Sequence, residues 1–281
     1  MLRIESLVRL MSTRTLCVYL SPQRVCAVVR QRRATVAGSA RQMPVADGHS
    51  DGHAHWQPAV DALNGLLRQH AAEWAGLPLQ IALAGRWSQL ALAPWSDALL
   101  SASTAASFLQ MQLLALYGDA ALSWRISADD APYGHSRLVC GVDELLPQAL
   151  EASAAEHGHP CRMIEPMLGA ALSASPPAAP KALIVAEAGR LTMAALQRGR
   201  VSALQIQPAG PAWPLELPLA WQRWTLRVPE LAALERVTVL PLCPGAAQAA
   251  LPARFQLSPH PYDADAPSSA PPSSSAREVA A

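Results

Sequence analysis

A chain of 281 residues with 51% apolar and 15% charged residues holds enough material for one large or two small cores, which excludes bulk disorder. Its 22 basic and 21 acidic residues leave a net charge of +1, and the basic ones are scattered singly, without the basic stripe and interleaved aromatics of a nucleic-acid binder. No window approaches the roughly 18 apolar residues of a membrane-spanning helix, so direct membrane insertion is not expected.

Residues 1–13 are expected to be a tail. Charges interrupt residues 1–10, so no signal peptide is expected there, and Met11 is an alternative start to Met1. The five cysteines, Cys17, Cys26, Cys140, Cys161 and Cys243, are odd in number and lack a Cys-x-x-Cys spacing. Most lie in or beside apolar runs, where a free thiol behaves as a small buried hydrophobe, and a reducing, cytoplasmic compartment is the expectation.

From residue 14 the pattern predicts a three-strand meander. Apolar runs at 16–20 and 25–29 flank Ser21-Pro22-Gln23, and the turn Gln31-Arg32-Arg33 leads to a third strand at 35–37. Residues 43–55, rich in Gly, Asp and His, read as a loop. A helix follows from Trp56, with Pro58 in its first turn and Val60, Leu63, Leu66, Leu67 and Trp74 on one stripe, until Gly76-Leu77-Pro78 stops it. Runs at 79–84 and 89–93 read as strands joined by a hairpin turn, Gly85-Arg86-Trp87-Ser88, and a helix capped by Ser101 or Ser103 reaches Tyr117. Strands at 121–127 and 137–142, a helix from Asp143 to His157, a short apolar run at 161–164 and a helix after Pro166 complete a first α/β half over 14–174, carrying an inserted subdomain at about 79–135.

Residues 175–180, Ser-Pro-Pro-Ala-Ala-Pro, read as a linker. A second, shortened half over 181–252 again opens with three runs, at 183–186, 191–196 and 201–206, punctuated by Ala188-Gly189 and Arg198-Gly199-Arg200. A Pro- and Trp-rich segment (208–228), a short helix near 229–234 and a strand at 236–240 follow, and residues 253–281, dominated by Pro, Ser, Ala and Asp, are expected to be disordered. Superposing the two meanders without a gap, at an offset of 183 − 16 = 167, matches Leu16, Val18, Ala27 and Arg33 to Leu183, Val185, Ala194 and Arg200, the mark of a duplicated unit.

This layout resembles the actin-like (ribonuclease H-like) ATPase fold, an α/β architecture of two halves that each begin with such a meander and hold a nucleotide between their first hairpins. Within that fold it is most similar to the PilM and GspL group of type IV pilus and type II secretion assembly, over about residues 14–250. Besides the layout, the likeness rests on Arg24-Val25-Cys26-Ala27-Val28 in the second strand and on the strand pair before Pro94. In the family the first hairpin carries Asp-x-Gly and then Ser or Thr, so that a carboxylate organises the metal's water and backbone amides approach the phosphates. Here Tyr19 and Ser21 stand at the matching positions, Pro22 follows and donates no amide, and the second hairpin offers Glu187-Ala188-Gly189. None of the fifteen glycines is adjacent to another, so the family's Gly-Gly adenosine motif is missing too. Ser21, Glu187 and Gly189 therefore read as a vestigial nucleotide site with no catalytic residue, where ATP with Mg²⁺ is what the resemblance implies and the residues argue against.

The resemblance implies a non-catalytic scaffold, a pseudo-ATPase at the inner face of the inner membrane, binding a PilN-like peptide of a membrane-anchored assembly protein. An active actin-like ATPase or small-molecule kinase is the alternative. PilM-like proteins take that peptide against the subdomain inserted in the first half, and Trp87, Trp95 and Trp124 with Arg86 and Arg125 combine indole and guanidinium surface in that region. The competing reading places these indoles in the core. His49, His53 and His55 with Asp47 and Asp51, and separately His157, His159 and Cys161, supply zinc-type donors without a standard zinc spacing, so no metal is expected. Glu144 and Glu165, near strand ends, read as solvated carboxylates.

Overall fold

The computed structural model describes residues 14–32, 34–46, 55–174, 181–243, 251–260 and 262. The expected tail at 1–13 and linker at 175–180 lie outside these residues. β1 (Arg14–Leu20) is apolar on both faces and buried from Leu16 onward, and it takes a strand on each edge, so the sheet grows outward from it. β2 (Arg24–Gln31) pairs with it antiparallel. The third strand of the meander is broken into β3 (Ala34–Thr35) and β4 (Arg41–Pro44), both antiparallel to β2. Ser39 fills the break: its Oγ accepts from the Val29 N–H at 3.1 Å and donates to the Val36 carbonyl at 2.6 Å. The expected loop thus begins after β4.

The helical stripe forms α1 (Gln57–Gln69), which buries Val60, Leu63, Leu66 and Leu67, and after a break at His70 the one-turn α2 (Ala71–Trp74). α1 is the crossover that returns the chain to β5 (Leu79–Leu83), parallel to β1. The hairpin expected at 79–93 does not form. β5 is buried along nearly its whole length and takes β1 on one edge and β9 on the other. The Ala84 carbonyl accepts from the Trp87 and Ser88 N–H groups, and this turn sends the chain into a different sheet.

That second sheet contains β6 (Gln89–Ala93), β7 (Trp124–Ala128) and β8 (Arg137–Asp143) in the order β6-β8-β7, antiparallel throughout. α3 (Ala102–Tyr117) covers one face of it, and a 3₁₀ turn over Gly118–Ser123 delays β7 to Trp124. Strand alternation gives this sheet two clienteles. Ala91, Ala93 and Val139 pack with Leu109 and Leu113 of α3, whereas Leu90, Cys140 and Val142 join the main core. The inserted unit therefore spans residues 89–143. α4 (Leu145–Glu156) leads back to β9 (Cys161–Pro166), parallel to β5, and α5 (Met167–Ala174) follows directly.

The second half repeats the plan. β10 (Ala182–Glu187), β11 (Arg190–Gln197) and β12 (Arg200–Pro208) form an antiparallel meander. α6 (Trp213–Arg227) crosses over, and β13 (Val237–Pro241) lies parallel to β10. The Pro- and Trp-rich segment is thus a helix: Pro214 sits in the first turn, where no amide partner is needed, and Pro218 removes one internal bond. Equivalent pairing also corrects the gapless superposition. The last pair of the first hairpin is Leu20 with Val25, that of the second Glu187 with Arg190, so the first connection is two residues longer. Leu16 and Val18 match Leu183 and Val185, but Ala27 falls on Thr192, the partner of Val185, and not on Ala194; Arg33 lies outside the described residues.

β10 joins the halves. Leu183 and Val185 pack into the first half's core, while Ala182, Ile184 and Ala186 face Trp213, Leu217, Trp221 and Trp224 beneath α6. The disorder expected from residue 253 begins too early. β14 (Phe255–Leu257) adds to β13 in parallel, and Tyr262 is 5% exposed within the first half's core, because an aromatic ring recovers burial that the surrounding Pro, Ser and Ala cannot offer. Residues 263–281 lie outside the described residues. Among the described residues no helix is long and apolar enough to cross a membrane.

Candidate functional site

The two first hairpins end facing one another across a cleft of about 370 Å³, lined among others by Tyr19, Ser21, Arg86, Glu187, Gly189 and Arg190. Residues of both halves meet there. The Tyr19 hydroxyl donates to Glu187 Oε1 at 2.8 Å, and the Gly85 N–H, just beyond β5, donates to both carboxylate oxygens at 3.1 and 2.9 Å. Arg190 donates to the Gly85 carbonyl and, at 2.9 Å, to Gln89 Oε1. A Cβ on Gly85 would stand 2.6 Å from Glu187 Oε2, so only glycine lets the carboxylate lie against this amide.

Burial pushes the Glu187 carboxyl up from its ordinary value, and the Tyr19 hydroxyl, the Gly85 amide and the Arg190 guanidinium pull it part of the way back. Burial and the neighbouring Glu187 hold the Tyr19 phenol well above its ordinary range, so it remains a protonated donor. Behind Tyr19 the Tyr262 ring stacks at 5.8 Å and 29°, His260 meets Tyr19 edge-on at 6.4 Å, and the Arg30 guanidinium lies 5.6 Å from the Tyr262 ring centre. A further tie across the halves runs from Arg24 Nη2 to the Leu242 carbonyl at 3.1 Å.

The Ser21 hydroxyl is engaged within its own turn. Its Oγ donates to the Arg24 carbonyl at 2.7 Å and accepts from the Arg24 N–H at 3.2 Å, while its own N–H donates to that carbonyl at 3.1 Å. Gly189 has φ +83°, the left-handed conformation that its two-residue turn requires, and its carbonyl accepts from the Ala209 N–H. Among the described lining residues Glu187 is the only carboxylate, and its oxygens are turned to Tyr19 and Gly85. A phosphate-bound Mg²⁺ asks for a carboxylate to order its waters and amides free to face the phosphates. The residues present do not fit that group.

The other expected residues are dispersed. Trp87 is 5% exposed in the main core, with His55 at 6.4 Å, and Arg86 is exposed at the cleft mouth. Trp95 is half-buried against Tyr133 at 4.6 Å, and Trp124 against Tyr117 at 5.3 Å. They lie beyond β6 and at the start of β7, the two outer strands. Ala93 pairs with Arg137 at one end of β8 and Trp124 with Asp143 at the other, which puts these two indoles at diagonal corners. The three indoles do not share one lining. Arg125 is exposed and pairs with Glu151 at 3.0 Å.

Of the first histidine group only His55 is described; His49, His53, Asp47 and Asp51 lie outside the described residues. His159 is buried with Nδ1 2.9 Å from the Leu77 carbonyl, and no cluster of three metal-ligating side chains forms among the described residues. Glu144 is exposed, as read. Glu165 is instead half-buried, with burial raising its carboxyl, in a second cleft of about 230 Å³ that Cys17, Gln80, Arg30 and Tyr262 also line. Sequence reasoning misses Gly85, which looks like part of a hairpin turn, and Tyr262, whose signal, with Phe255, is a pair of aromatics in a tail otherwise poor in large side chains.

No protein-family model matches the chain, and no curated protein matches it at a significant level. Solved structures do. The cytoplasmic domain of EpsL, an inner membrane component of the type II secretion system of Vibrio cholerae, superposes with a TM-score of 0.52 at 16% identity, over 88% of this chain and 86% of that one. A chain of the PilM–PilN type IV pilus biogenesis complex gives 0.57 at 11% identity, over 81% of each chain. A Bacteroides thetaiotaomicron protein of actin-like ATPase fold and unknown function gives 0.51 at 11%, over 83% of each. The fold is actin-like, in the form these proteins share.

Proposed function

We propose that this chain is a non-catalytic, PilM-like scaffold of a bacterial type IV pilus or type II secretion machine. Its partner is a short PilN-like peptide of a membrane-anchored assembly protein, bound at the cytoplasmic face of the inner membrane. The observation that carries the absence of turnover is the clasp of Tyr19 and Gly85 on Glu187, which occupies the one carboxylate a vestigial site of Ser21, Glu187 and Gly189 could offer. The likeness to EpsL and to the PilM–PilN complex supports the kind of machine. For the partner, the outer edge of β7 is the favoured place. Among the described residues it is paired on one side only, and Trp124 and Arg125 stand on it, so an extended peptide can add a strand through main-chain hydrogen bonds. Trp87, Trp95 and Arg86, dispersed as described, are assigned to packing and to the cleft.

An active ATPase or small-molecule kinase is the competing reading, favoured by Arg86 and Arg190 beside the cleft, since guanidinium forks suit phosphate. Thermal melts with and without Mg·ATP separate the two. A ligand specific for the folded state at one hundred times its Kd stabilises by about 2.7 kcal/mol, so an unmoved melt is expected and an upward shift abolished by Arg86→Ala and Arg190→Ala favours the enzyme. Affinity capture from inner membranes of the native bacterium tests the partner: Arg125→Glu and Trp124→Ala should lose a membrane-anchored protein that the parent retains. Full retention by folded variants removes the β7 site.

A further inference from the structure

α6 has a second apolar face. Its inner side buries Trp213, Leu217, Ala220, Trp221 and Trp224 against the second sheet. On its outer side Leu215, Leu219 and Leu226 are 76%, 57% and 79% exposed, with exposed Gln222 between them. Positions 215, 219, 222 and 226 step by four, three and four residues. On a helix of 3.6 residues per turn they fall within roughly 60° of arc, the contact line of a coiled coil with one polar position in the seam. Leucines so placed in a heptad line are unlike singly scattered surface leucines, which need no explanation. The inner side of β10 faces the first half and its outer side faces α6, so this seam points away from both the cleft and the inserted sheet.

We propose that the seam packs against the same seam of a second copy of this chain, with the two helices antiparallel. Charge selects both the occupant and the direction. Glu216 and Arg223 are seven residues apart and therefore occupy the same flank of the seam, near opposite ends of α6; the other flank carries Pro218 and Thr225, both uncharged. A twofold axis that reverses the second helix brings like flanks together, so Glu216 of each protomer opposes Arg223 of the other, twice. Parallel helices would set the charged flank against the uncharged one and leave all four charges unpaired. Among the described residues the Glu216 carboxylate has only a long contact to the Gly210 N–H, at 3.5 Å, and is available to turn outward. One helix pair gives an interface at the small end of the specific range, so the association is reversible and depends on concentration.

Sedimentation equilibrium of the full chain over a concentration series reads the result. A monomer–dimer equilibrium is expected, and Leu219→Glu with Leu226→Glu should raise its dissociation constant at least tenfold while the circular-dichroism melt stays in place. Should that pair fail to fold, Leu219→Ser is the milder variant with the same expected direction. Glu216→Arg alone and Arg223→Glu alone should each weaken the dimer, and the double reversal should restore the parent constant, a rescue that a merely structural role for either residue would not give. A monomer at every concentration, a dimer indifferent to the leucine changes, or a double reversal no better than the single ones overturns the proposal.

Discussion

Tyr19 stands where the actin-like resemblance places a carboxylate, and its hydroxyl instead serves the carboxylate of the opposite half. Removing that hydroxyl by Tyr19→Phe leaves a buried acceptor short of one donor, at an expected cost of about 1–3 kcal/mol in urea unfolding at neutral pH. The sign of the pH effect follows from the raised Glu187 carboxyl. Because the folded state binds this proton more tightly than the unfolded one, Glu187 contributes its full stability below its ordinary value of 4.5 and loses it as pH climbs through the raised folded value. Glu187→Gln should therefore gain on the parent between pH 4.5 and neutrality; parallel pH profiles would show that the carboxyl is not buried in solution. Tyr19, Pro22 and Glu187 were legible in the sequence because each departs from or keeps a known residue of the family's hairpins. Gly85 was not, since its role depends on a carboxylate 102 residues away and no local pattern records that approach.

Gly141 in β8 plays for the inserted sheet the part that Gly85 plays for the cleft. A Cβ there would strike the Trp124 ring and come within 2.9 Å of Leu113 Cδ1, so the indole is seated over bare backbone between β7 and α3. Gly141→Ala should cost about 1–3 kcal/mol through overpacking. The damage should be local: amide exchange should quicken in β7 and β8 while β1 and β5 keep their protection, and uniform quickening would show that the insert does not open by itself. Existence of most strands was readable from alternation and from turn residues. Partnership was less so, because two apolar runs around Gly85-Arg86-Trp87-Ser88 look alike whether they pair or enter different sheets. In α6, Pro214 and Pro218 hid the helix, although the buried tryptophan and leucine spacing of its inner face outweighs the one hydrogen bond that Pro218 removes.

The halves repeat one plan, an antiparallel meander followed by a helical crossover to a parallel strand, and that plan is legible in the sequence because it is written in runs and turns. Two residues more in the first connection were invisible to a gapless comparison. So was the return of the C-terminal segment, where Phe255 enters the second half's core and Tyr262 the first's; composition averaged over a Pro- and Ser-rich stretch dilutes two aromatics to nothing. Tyr262→Ala should cost about 3–5 kcal/mol, the range for truncating a buried aromatic, as measured by denaturant unfolding, and a change under about 0.5 kcal/mol, the scale of an exposed position, would mean that Tyr262 is not buried. The same contact fixes an order of events during synthesis. Tyr19 leaves the ribosome 262 − 19 = 243 residues ahead of the ring that covers it, roughly 12–50 s at about 5–20 residues per second. For that interval the nascent first half exposes an aromatic face to the cytosol, which makes it a natural point of attention for chaperones.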